Sequence, residues 1–380
     1  MEQVLHLTFP YVAAFEAFAL HPNVLCSFCP SRNESCRIDG SERSTARTSA
    51  RESLSIAMDR TRSQSLQSLR TGGTSCTSSY VRVSLRHHRN QRSVAQSRRR
   101  SDEALVDGGY RLEEYRRVLS VAGSDSGGGA GVQADLKTIG ACRCYGMTAI
   151  TALTAQNTVG VQAIHEVPPE FVRQQIDSVL SDIGADAIKI GMLHSAAIVR
   201  IVVGAIKAYS VDHVVVDPVM VTTSGDPLLQ EEALQELKEN LLPRASVITP
   251  NLPEAAMLMG IDSIRKEEMQ ECAIHLGRTL HTSVLLKGGH LPGTELADVL
   301  YNHKNSKVTL FHSKKIDTQN THGTGCTLSS ALASFLAHGM SLEEAVQEAR
   351  HYLHDAIQAG ALYHVGEGHG PVHHFGRQWT

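Results

Sequence analysis

Four consecutive residues late in the chain, Gly323-Thr324-Gly325-Cys326, have the composition of an anion-binding helix start. Glycines before the first turn of a helix expose several backbone N–H groups, which act with the positive end of the helix dipole to stabilise an anion. A thiol in that first turn has a lowered pKa, so Cys326 is a candidate base. The alternative is an ordinary helix start with a buried cysteine.

A second glycine-rich stretch, "VAGSDSGGGAGVQADLKT" over residues 121–138, permits three interpretations. Asp125-Ser126-Gly127-Gly128 looks like the nucleophile loop of a serine protease, but that site belongs to an all-β double barrel with its histidine far upstream. Gly129-x-Gly131-x-x-Ala134 fits a dinucleotide fingerprint, but the acidic residue expected about 20 positions later is missing. The sequence therefore favours a glycine loop that lets a small substrate approach the backbone.

From Arg116 onward, short apolar runs alternate with helical patterns. The elements that position these residues are therefore predicted to form an α/β fold. Such alternation predicts a central, mostly parallel sheet covered by helices on both faces. Ligands of these sheets gather at the carboxyl ends of the strands. The residues at those ends are Gly123-Ser124-Asp125, Gln156-Asn157, Gly191-Met192, Asp217-Pro218, Asn251 and Lys287-Gly288-Gly289.

Two helices have recognisable sequence signals. The helix after the glycine loop places Val132, Leu136 and Ile139 at helical spacing. The last helix begins with Ser341-Leu342-Glu343-Glu344, a capping-box pattern.

Charge and composition divide the 380-residue chain into two parts. A net charge of -3 gives no overall attraction to nucleic acid or membrane surfaces, and no run of about 18 apolar residues predicts a membrane span. Residues 1–115 are predicted to be a disordered extension, residues 116–376 one enzyme domain, and residues 377–380 a tail.

The N-terminal extension has the composition of an organelle transit peptide. Residues 61–100 contain nine arginines, many serines and no acidic residue. Acidic residues before Met58 fit this pattern less well, so translation starting at Met58 is one hypothesis. A plastid location is predicted; the alternative is a disordered basic tail on a cytoplasmic protein.

Seven motifs resemble, in order, those of hydroxymethylpyrimidine kinase/phosphomethylpyrimidine kinase, the thiamine-pathway member of the ribokinase-like superfamily. They are "AGSDSGGGAGVQADLKT", "TALTAQNT", "IKIGML", "VVVDPVM", "ITPNLPEA", "LLKGGH" and "NTHGTGCTLSSALA". The resemblance covers residues 117–375 and implies a three-layer αβα fold, with ATP phosphorylating the hydroxymethylpyrimidine and then its monophosphate. The ending "GEGHGPVHHF" resembles the plant version, where a thiamin-phosphate synthase domain follows; because the chain stops at Thr380, that second activity is expected to be absent.

The resemblance also implies roles for most candidate site residues. Gly323, Thr324 and Gly325 would form the anion hole for the transferred phosphate. Cys326 stands where many ribokinase-like enzymes have Asp, and it would act as the general base. The remaining pocket residues that the resemblance implies are Asp135, Gly123, Ala130, Met192 and Val219.

The chemistry of individual side chains predicts which residues recognise the substrate and which contact ATP and Mg²⁺. Gln156 is predicted to read the pyrimidine, because a carboxamide matches a ring nitrogen beside an exocyclic amine. Asp217 and Glu254 are candidate ligands of Mg²⁺, directly or through water, because Mg²⁺ prefers carboxylates, waters and phosphate oxygens. Lys287 and Asn251 are candidate ATP contacts. For Gln156 and Lys287 the alternative is a polar side chain exposed to water.

Two other functions stay open from the sequence. Pyridoxal kinase shares the fold and mechanism, although Gln156 and the dense motif match argue against it as the main activity. A catalytically silent sensor could bind the pyrimidine without ATP turnover, although the intact Gly-Thr-Gly-Cys loop argues against it. The resemblance further suggests a homodimer.

Overall fold

The computed structural model describes residues 105–106, 110–111, 114–220, 231–289 and 293–379, all within one compact unit of the chain, Ser93–Thr380. Residues 1–104, and with them most of the predicted extension and transit peptide, lie outside the described residues. None of the described helices is long and apolar enough to span a membrane.

Nine strands form one mixed sheet, and two short strands pair separately. The strands, in chain order, are β1 (Leu105–Val106), β2 (Tyr110–Arg111), β3 (Arg116–Asp125), β4 (Cys144–Gln156), β5 (Val161–Glu166), β6 (Ala187–Ile190), β7 (His213–Val216), β8 (Val247–Ile248), β9 (Ser283–Lys287), β10 (Glu295–Asn302) and β11 (Lys307–Lys314). The large sheet has the order β11-β10-β9-β8-β7-β6-β3-β4-β5. Strands β9 to β4 in this order are parallel, while β5, β10 and β11 run antiparallel to their neighbours.

Helices connect the strands and cover the sheet. They are α1 (Gly131–Ala141), α2 (Pro169–Asp182), α3 (Ala196–Tyr209), α4 (Glu231–Glu236), α5 (Leu252–Met259), α6 (Met269–Thr279), α7 (Thr324–Ala337) and α8 (Leu342–Gly360). Helix α4 continues into a π-helical turn, Leu237–Leu241, and a 3₁₀ turn, Leu242–Arg244; another 3₁₀ turn, Lys266–Glu268, precedes α6.

The apolar strand residues fill two separate cores because successive side chains on a strand point to opposite faces. Val118 of β3 packs in the core formed with α1, α7 and α8. The next residue, Leu119, packs in the larger core formed with α2, α3, α5 and α6. This division confirms the predicted three-layer αβα fold with a mostly parallel central sheet. The capping box at Ser341 is also confirmed, since its hydroxyl accepts from the Glu344 amide.

Two local features differ from the sequence-based predictions. Leu136 shares helical spacing with the buried Val132 and Ile139, but its side chain is 40% exposed. Strand β5 was not predicted, because its central side chains are exposed and leave no buried alternation to detect. It pairs with β4 at the edge of the sheet.

Candidate active site

The glycine loop after β3 is wrapped around the carboxylate of Asp125. Its Oδ1 accepts a hydrogen bond from the Gly127 amide at 2.8 Å, and its Oδ2 accepts from the Gly129 and Ala130 amides at 3.1 and 2.8 Å. Burial alone would raise the pKa of Asp125, but the hydrogen bonds from His322 and the loop amides hold it below its ordinary value. The loop therefore has a fixed anionic centre, and Ala130 becomes the N-cap of α1.

His322 connects this loop to the residues of the predicted anion hole. Its Nε2 lies 2.9 Å from Asp125 Oδ2 and 3.5 Å from Gln156 Nε2. The side chain is only 12% exposed, and the next residue is Gly323. One imidazole thus joins the β3 loop, the end of β4 and the start of α7. His322 was not among the predicted site residues; its position directly before Gly323 is the signal that could have identified it.

Gly323 brings two loops into direct backbone contact. Its φ of +81° lies in the left-handed region that favours glycine. A Cβ at this position would stand 1.8 Å from the carbonyl oxygen of Gly129, so a larger residue would separate the loops. Gly323 therefore allows the glycine loop to pack against the anion-hole loop.

The start of α7 offers backbone donors beside a carboxylate. The helix begins at Thr324 with Gly323 as its N-cap, and no side chain caps its first turn. The amides of that turn have no partner within the helix. A Cβ on Gly325 would lie 3.2 Å from Asp217 Oδ2 and 3.6 Å from Lys287 Nζ. The Thr324 amide donates to the Thr321 carbonyl at 3.4 Å. An anion hole for a transferred phosphate needs amides without helix partners beside charged groups, and the start of α7 has both.

The environment of Cys326 contradicts the predicted low pKa. The thiol lies half-buried in the first turn of α7. Burial raises the pKa of Cys326 to about 11; the charge of Lys189 acts to lower it, whereas Asp135 and Asp217 raise it further. The prediction of a lowered pKa is therefore wrong, because the loss of hydration outweighs the charge of Lys189.

Asp135 belongs to a buried ionic network and not to the pocket surface. Its carboxylate is fully buried, and each oxygen lies 2.8 Å from Lys189 Nζ. Ser120 Oγ and Ser330 Oγ donate to the same carboxylate at 2.5 and 2.7 Å. The predicted substrate contact is thus replaced by a link between β3, α1, β6 and α7. Lys189 was missed because a lysine within an apolar strand gives no sequence signal of its partner, 54 residues away.

Asp217 and Lys287 form a second ion pair at the ends of β7 and β9. Lys287 Nζ lies 3.0 Å from Asp217 Oδ1, and Thr249 Oγ1 donates to the same oxygen at 2.9 Å. Burial acts to raise the pKa of Asp217, but Lys287 and Lys189 hold it below its ordinary value. Burial acts to lower the pKa of Lys287, but Asp217 and Glu254 raise it. Both groups are therefore charged at neutral pH.

Glu254 and Asn251 form a capping box at the start of α5. Asn251 Oδ1 accepts from the Glu254 amide, and Glu254 Oε2 accepts from the Asn251 amide, both at 2.8 Å. The Asn251 side-chain oxygen is therefore engaged within the protein, which leaves its amide group for the predicted ATP contact. Burial raises the pKa of Glu254 to about 7; Lys287 acts to lower it, and Asp217 raises it.

The predicted metal ligands fit a shared magnesium site and not a complete protein cage. Across the described ranges, no group of three or more His, Cys, Asp or Glu side chains is placed to hold a metal ion. In phosphoryl-transfer sites Mg²⁺ keeps several waters and binds through one or two carboxylates plus substrate phosphates. Asp217 has one oxygen directed toward Gly325, and it lies close enough to Glu254 to raise the pKa of that carboxyl. This pair fits that mode of binding.

Gln156 is held at the end of β4 by the glycine loop. The hydroxyl of Ser126 donates to the Gln156 carbonyl at 2.8 Å and accepts from the Gln156 amide at 2.8 Å. Thr154 Oγ1 donates to the side-chain Oε1 at 3.0 Å, and His322 lies beside Nε2. The carboxamide is thus fixed in orientation next to the anion-hole loop, as a reader of the pyrimidine must be.

The remaining predicted pocket residues form a small apolar wall. Met192 and Ala152 are buried together, with Val219 packed against them. A Cβ on Gly123 would lie 3.3 Å from Met192 Sδ, so this glycine lines the same wall. The wall is separate from the two main cores. The structure therefore brings together Gly123, Met192 and Val219 at the carboxyl ends of β3, β6 and β7.

Replacing Glu254 by Gln is expected to change how stability depends on pH. An exposed Glu has a pKa of 4.5, so between that value and about 7 the folded protein holds a proton that the unfolded chain releases. The unfolding free energy of the wild type should therefore fall as pH rises through this window, by on the order of 3 kcal/mol relative to Glu254→Gln. Urea unfolding at about pH 5 and about pH 8 measures the difference. Parallel pH profiles for the two proteins would contradict it; Gln preserves the capping box, so the comparison isolates the charge.

Comparison with known proteins identifies a family for most of the domain. Residues 125–373 match the family model described as phosphomethylpyrimidine kinase. Over 263 residues, the chain is 48% identical to the hydroxymethylpyrimidine/phosphomethylpyrimidine kinase of Rhizobium meliloti, covering 69% of this chain and 98% of that one.

A plant relative and a solved structure extend the comparison. The chain is 44% identical over 284 residues to the Arabidopsis thaliana thiamine biosynthetic bifunctional enzyme TH1, chloroplastic; the match covers 73% of this chain and 53% of that longer protein. The crystal structure of an ADP complex of Bacillus subtilis pyridoxal kinase superposes with a TM-score of 0.65 at 36% identity, covering 70% of this chain and 100% of the other. The fold is therefore that of a group of small-molecule kinases.

Proposed function

Because the chain belongs to the phosphomethylpyrimidine kinase family, we propose that it uses ATP to phosphorylate 4-amino-5-hydroxymethyl-2-methylpyrimidine. It then phosphorylates the monophosphate to the diphosphate, for thiamine biosynthesis. The observation that carries this proposal is the position of His322, which contacts both Asp125 and Gln156 while its neighbour Gly323 begins the anion hole. A fixed carboxamide and a helix start suited to bind phosphate thereby lie on either side of one imidazole.

The phosphate end of the site is formed by backbone amides and charged side chains. When bound, ATP supplies the phosphoryl group, and Mg²⁺ neutralises charge on the phosphates. The amides of Thr324, Gly325 and Cys326 stabilise the negative charge that develops on the transferred group. Asp217 and Glu254 would hold the metal, and Lys287, which is paired with Asp217, would contact the phosphates of ATP.

The two transfers make different demands on Cys326. The hydroxymethyl group must lose a proton as it attacks, and the thiolate of Cys326 accepts it. In the second transfer the acceptor is a phosphate monoester, whose second pKa is about 6, so its attacking oxygen carries no proton at neutral pH. A base is therefore required for the first transfer and not for the second. Both transfers use the same anion hole.

Removing the carboxamide of Gln156 should weaken substrate binding more than turnover. Gln156→Ala is expected to raise the pyrimidine dissociation constant about tenfold or more, because a buried donor and acceptor on the substrate lose their partners. Isothermal titration with the pyrimidine alcohol measures this. Gln270→Ala, at an exposed position of α6, is the matched control and should leave binding unchanged. An unaltered dissociation constant for Gln156→Ala would exclude Gln156 as the reader of the ring.

Pyridoxal kinase is the second candidate function, favoured by the superposition with the Bacillus subtilis enzyme. The full chain is incubated with ATP and Mg²⁺ plus the pyrimidine alcohol, pyridoxal or no acceptor, and ADP release is followed. The proposed function predicts a kcat/KM for the pyrimidine that exceeds the value for pyridoxal by at least about tenfold. ADP release that depends on neither alcohol would contradict kinase activity toward both.

The β4–β5 edge supports a homodimer. Leu153 and Ile164 are 44% and 36% exposed there and line a shallow apolar groove with Ala163. We expect light scattering to give twice the mass of one chain, and Ile164→Asp to give a monomer, because a charge cannot be buried unpaired in such an interface. Ile261→Asp, at a similarly exposed isoleucine elsewhere, should stay dimeric. A wild-type monomer would contradict the dimer, and a dimeric Ile164→Asp would place the interface elsewhere.

A plastid location is supported by the arginine-rich composition of residues 61–100 and by the chloroplastic relative. Residues 1–115 fused to a fluorescent protein should direct it into plastids. Fluorescence that remains in the cytosol would contradict this proposal.

A further inference from the structure

The chain segment 366–374, here called the C-terminal strap, has no part in the chemistry described above. Its sequence, "GEGHGPVHH", contains three glycines at alternate positions and three histidines. Its first half packs on Thr158, two residues after Gln156. The Gly368 amide donates to Thr158 Oγ1 at 3.2 Å, and the His369 amide donates to the Thr158 carbonyl at 3.0 Å. The strap thus fixes the loop that follows the predicted pyrimidine reader.

The middle of the strap packs on the segment that leads into the anion hole. The His322 amide donates to the Gly370 carbonyl at 3.0 Å, and His322 forms a parallel bridge with Pro371. Asn320 Nδ2 donates to the carbonyls of Gly360 and Tyr363, both at 2.7 Å. These bonds fix the Asn320 side chain at the end of α8, three residues before Gly323, and hold its Oδ1 beside Gly370 of the strap.

The end of the strap contacts the first turn of α7. His374 is buried, and its Nε2 lies 3.2 Å from Thr327 Oγ1. Thr327 Oγ1 in turn donates to the carbonyl of Gly323 at 2.8 Å. The phenol of Tyr352 in α8 donates to the His374 carbonyl at 2.7 Å, which anchors the strap to the helix layer. The same nine residues therefore contact both sides of the site.

We propose that the C-terminal strap is a positioning element of the active site, which sets the separation between the Gln156 loop and the anion hole. This inference rests on the proposed function, because it assigns a catalytic consequence to the packing. It also explains two of the strap glycines. A Cβ on Gly368 would stand 2.1 Å from the Thr158 carbonyl oxygen, and a Cβ on Gly370 would stand 2.0 Å from Asn320 Oδ1.

The two glycines act on opposite sides of the site, so their substitution separates two kinetic effects. Neither has a positive φ, so alanine meets only the steric obstacle. Gly370→Ala pushes Asn320 and with it the anion hole, so kcat should fall by about tenfold or more, with KM for the pyrimidine changed less than about threefold. Gly368→Ala pushes Thr158, so KM should rise by about tenfold or more with kcat nearly unchanged.

The experiment compares steady-state kinetics and melting temperatures of the full-length wild type and variants. Gly140→Ala is the matched control, because a Cβ there meets no atom within 4 Å. If Gly370→Ala fails to fold, Tyr352→Phe replaces it; this change removes the phenol's bond to the His374 carbonyl of the strap without adding bulk and should also lower kcat.

Two results would overturn the inference. In the first, the strap variants fold but kcat and KM are unchanged. In the second, Gly368→Ala and Gly370→Ala alter kcat and KM equally and both lower the melting temperature. An inactive wild type would instead contradict the proposed function, so the two failures are distinguishable.

Discussion

Replacing Cys326 by Ala is expected to slow the first phosphoryl transfer by about 100-fold and the second by less than about tenfold. The first acceptor is an alcohol that must lose a proton, and the variant has no thiolate to receive it. The second acceptor is already an anion, and the backbone amide of residue 326 remains in the anion hole. Single-turnover assays that start from the alcohol or from the monophosphate measure the two rates separately.

The pH dependence of the first transfer gives an independent check on Cys326. Because burial raises the pKa of this thiol to about 11, only a small fraction is ionised at neutral pH. The fraction increases roughly tenfold with each pH unit below that value, so the first transfer should accelerate with pH while the second stays nearly flat. The variant should lose the slope. Cys272→Ala, which removes a buried cysteine in the larger core, should retain it. Equal slowing of both transfers by Cys326→Ala would contradict the assignment of Cys326 as base.

Replacing Lys189 by Met is expected to lower the free energy of unfolding by about 3–5 kcal/mol. The ammonium and the Asp135 carboxylate are both fully buried, so the substitution leaves a charged carboxylate with only two hydroxyl donors. Burial acts to lower the pKa of Lys189, but Asp135 raises it above its ordinary value, so the ammonium stays charged in the folded protein. Urea unfolding followed by circular dichroism measures the change.

A double variant distinguishes the ionic pair from simple packing. Lys189→Met combined with Asp135→Asn removes the unpaired charge and should recover more than half of the lost stability. Arg200→Met breaks an exposed ion pair with Glu236 and should leave stability nearly unchanged. If the double variant is as unstable as Lys189→Met alone, the loss comes from packing and not from the buried charge.

The alternation of apolar runs was enough to predict the layers and the strand ends that carry the site. Gln156, Asp217, Asn251 and Lys287 lie at the carboxyl ends of strands, as a parallel sheet requires. Strand β5 escaped prediction because an exposed edge strand buries too little to impose a pattern. Apolar and polar residues alternate along a strand when one of its faces is buried, so an element without a buried face has no such pattern.

The protonation of the site residues depends on contacts between residues that are far apart in the sequence. His322 meets Asp125 across 197 residues, and Lys189 meets Asp135 across 54. The helix-start pattern predicted a lowered pKa for Cys326, but the surrounding packing sets its hydration, and hydration dominates. Burial therefore sets the protonation of Cys326 and Glu254 and removes Asp135 from the pocket surface, and residue types and spacing do not predict burial of this kind.

The central claim is that one site carries out both phosphorylations of the pyrimidine. Phosphorus-31 NMR of the full chain with ATP, Mg²⁺ and the pyrimidine alcohol tests it directly. The account predicts a monophosphate ester resonance that appears first and is then replaced by the two coupled resonances of the diphosphate. A monophosphate that accumulates without conversion, or ATP that stays intact in the presence of the alcohol, would contradict it.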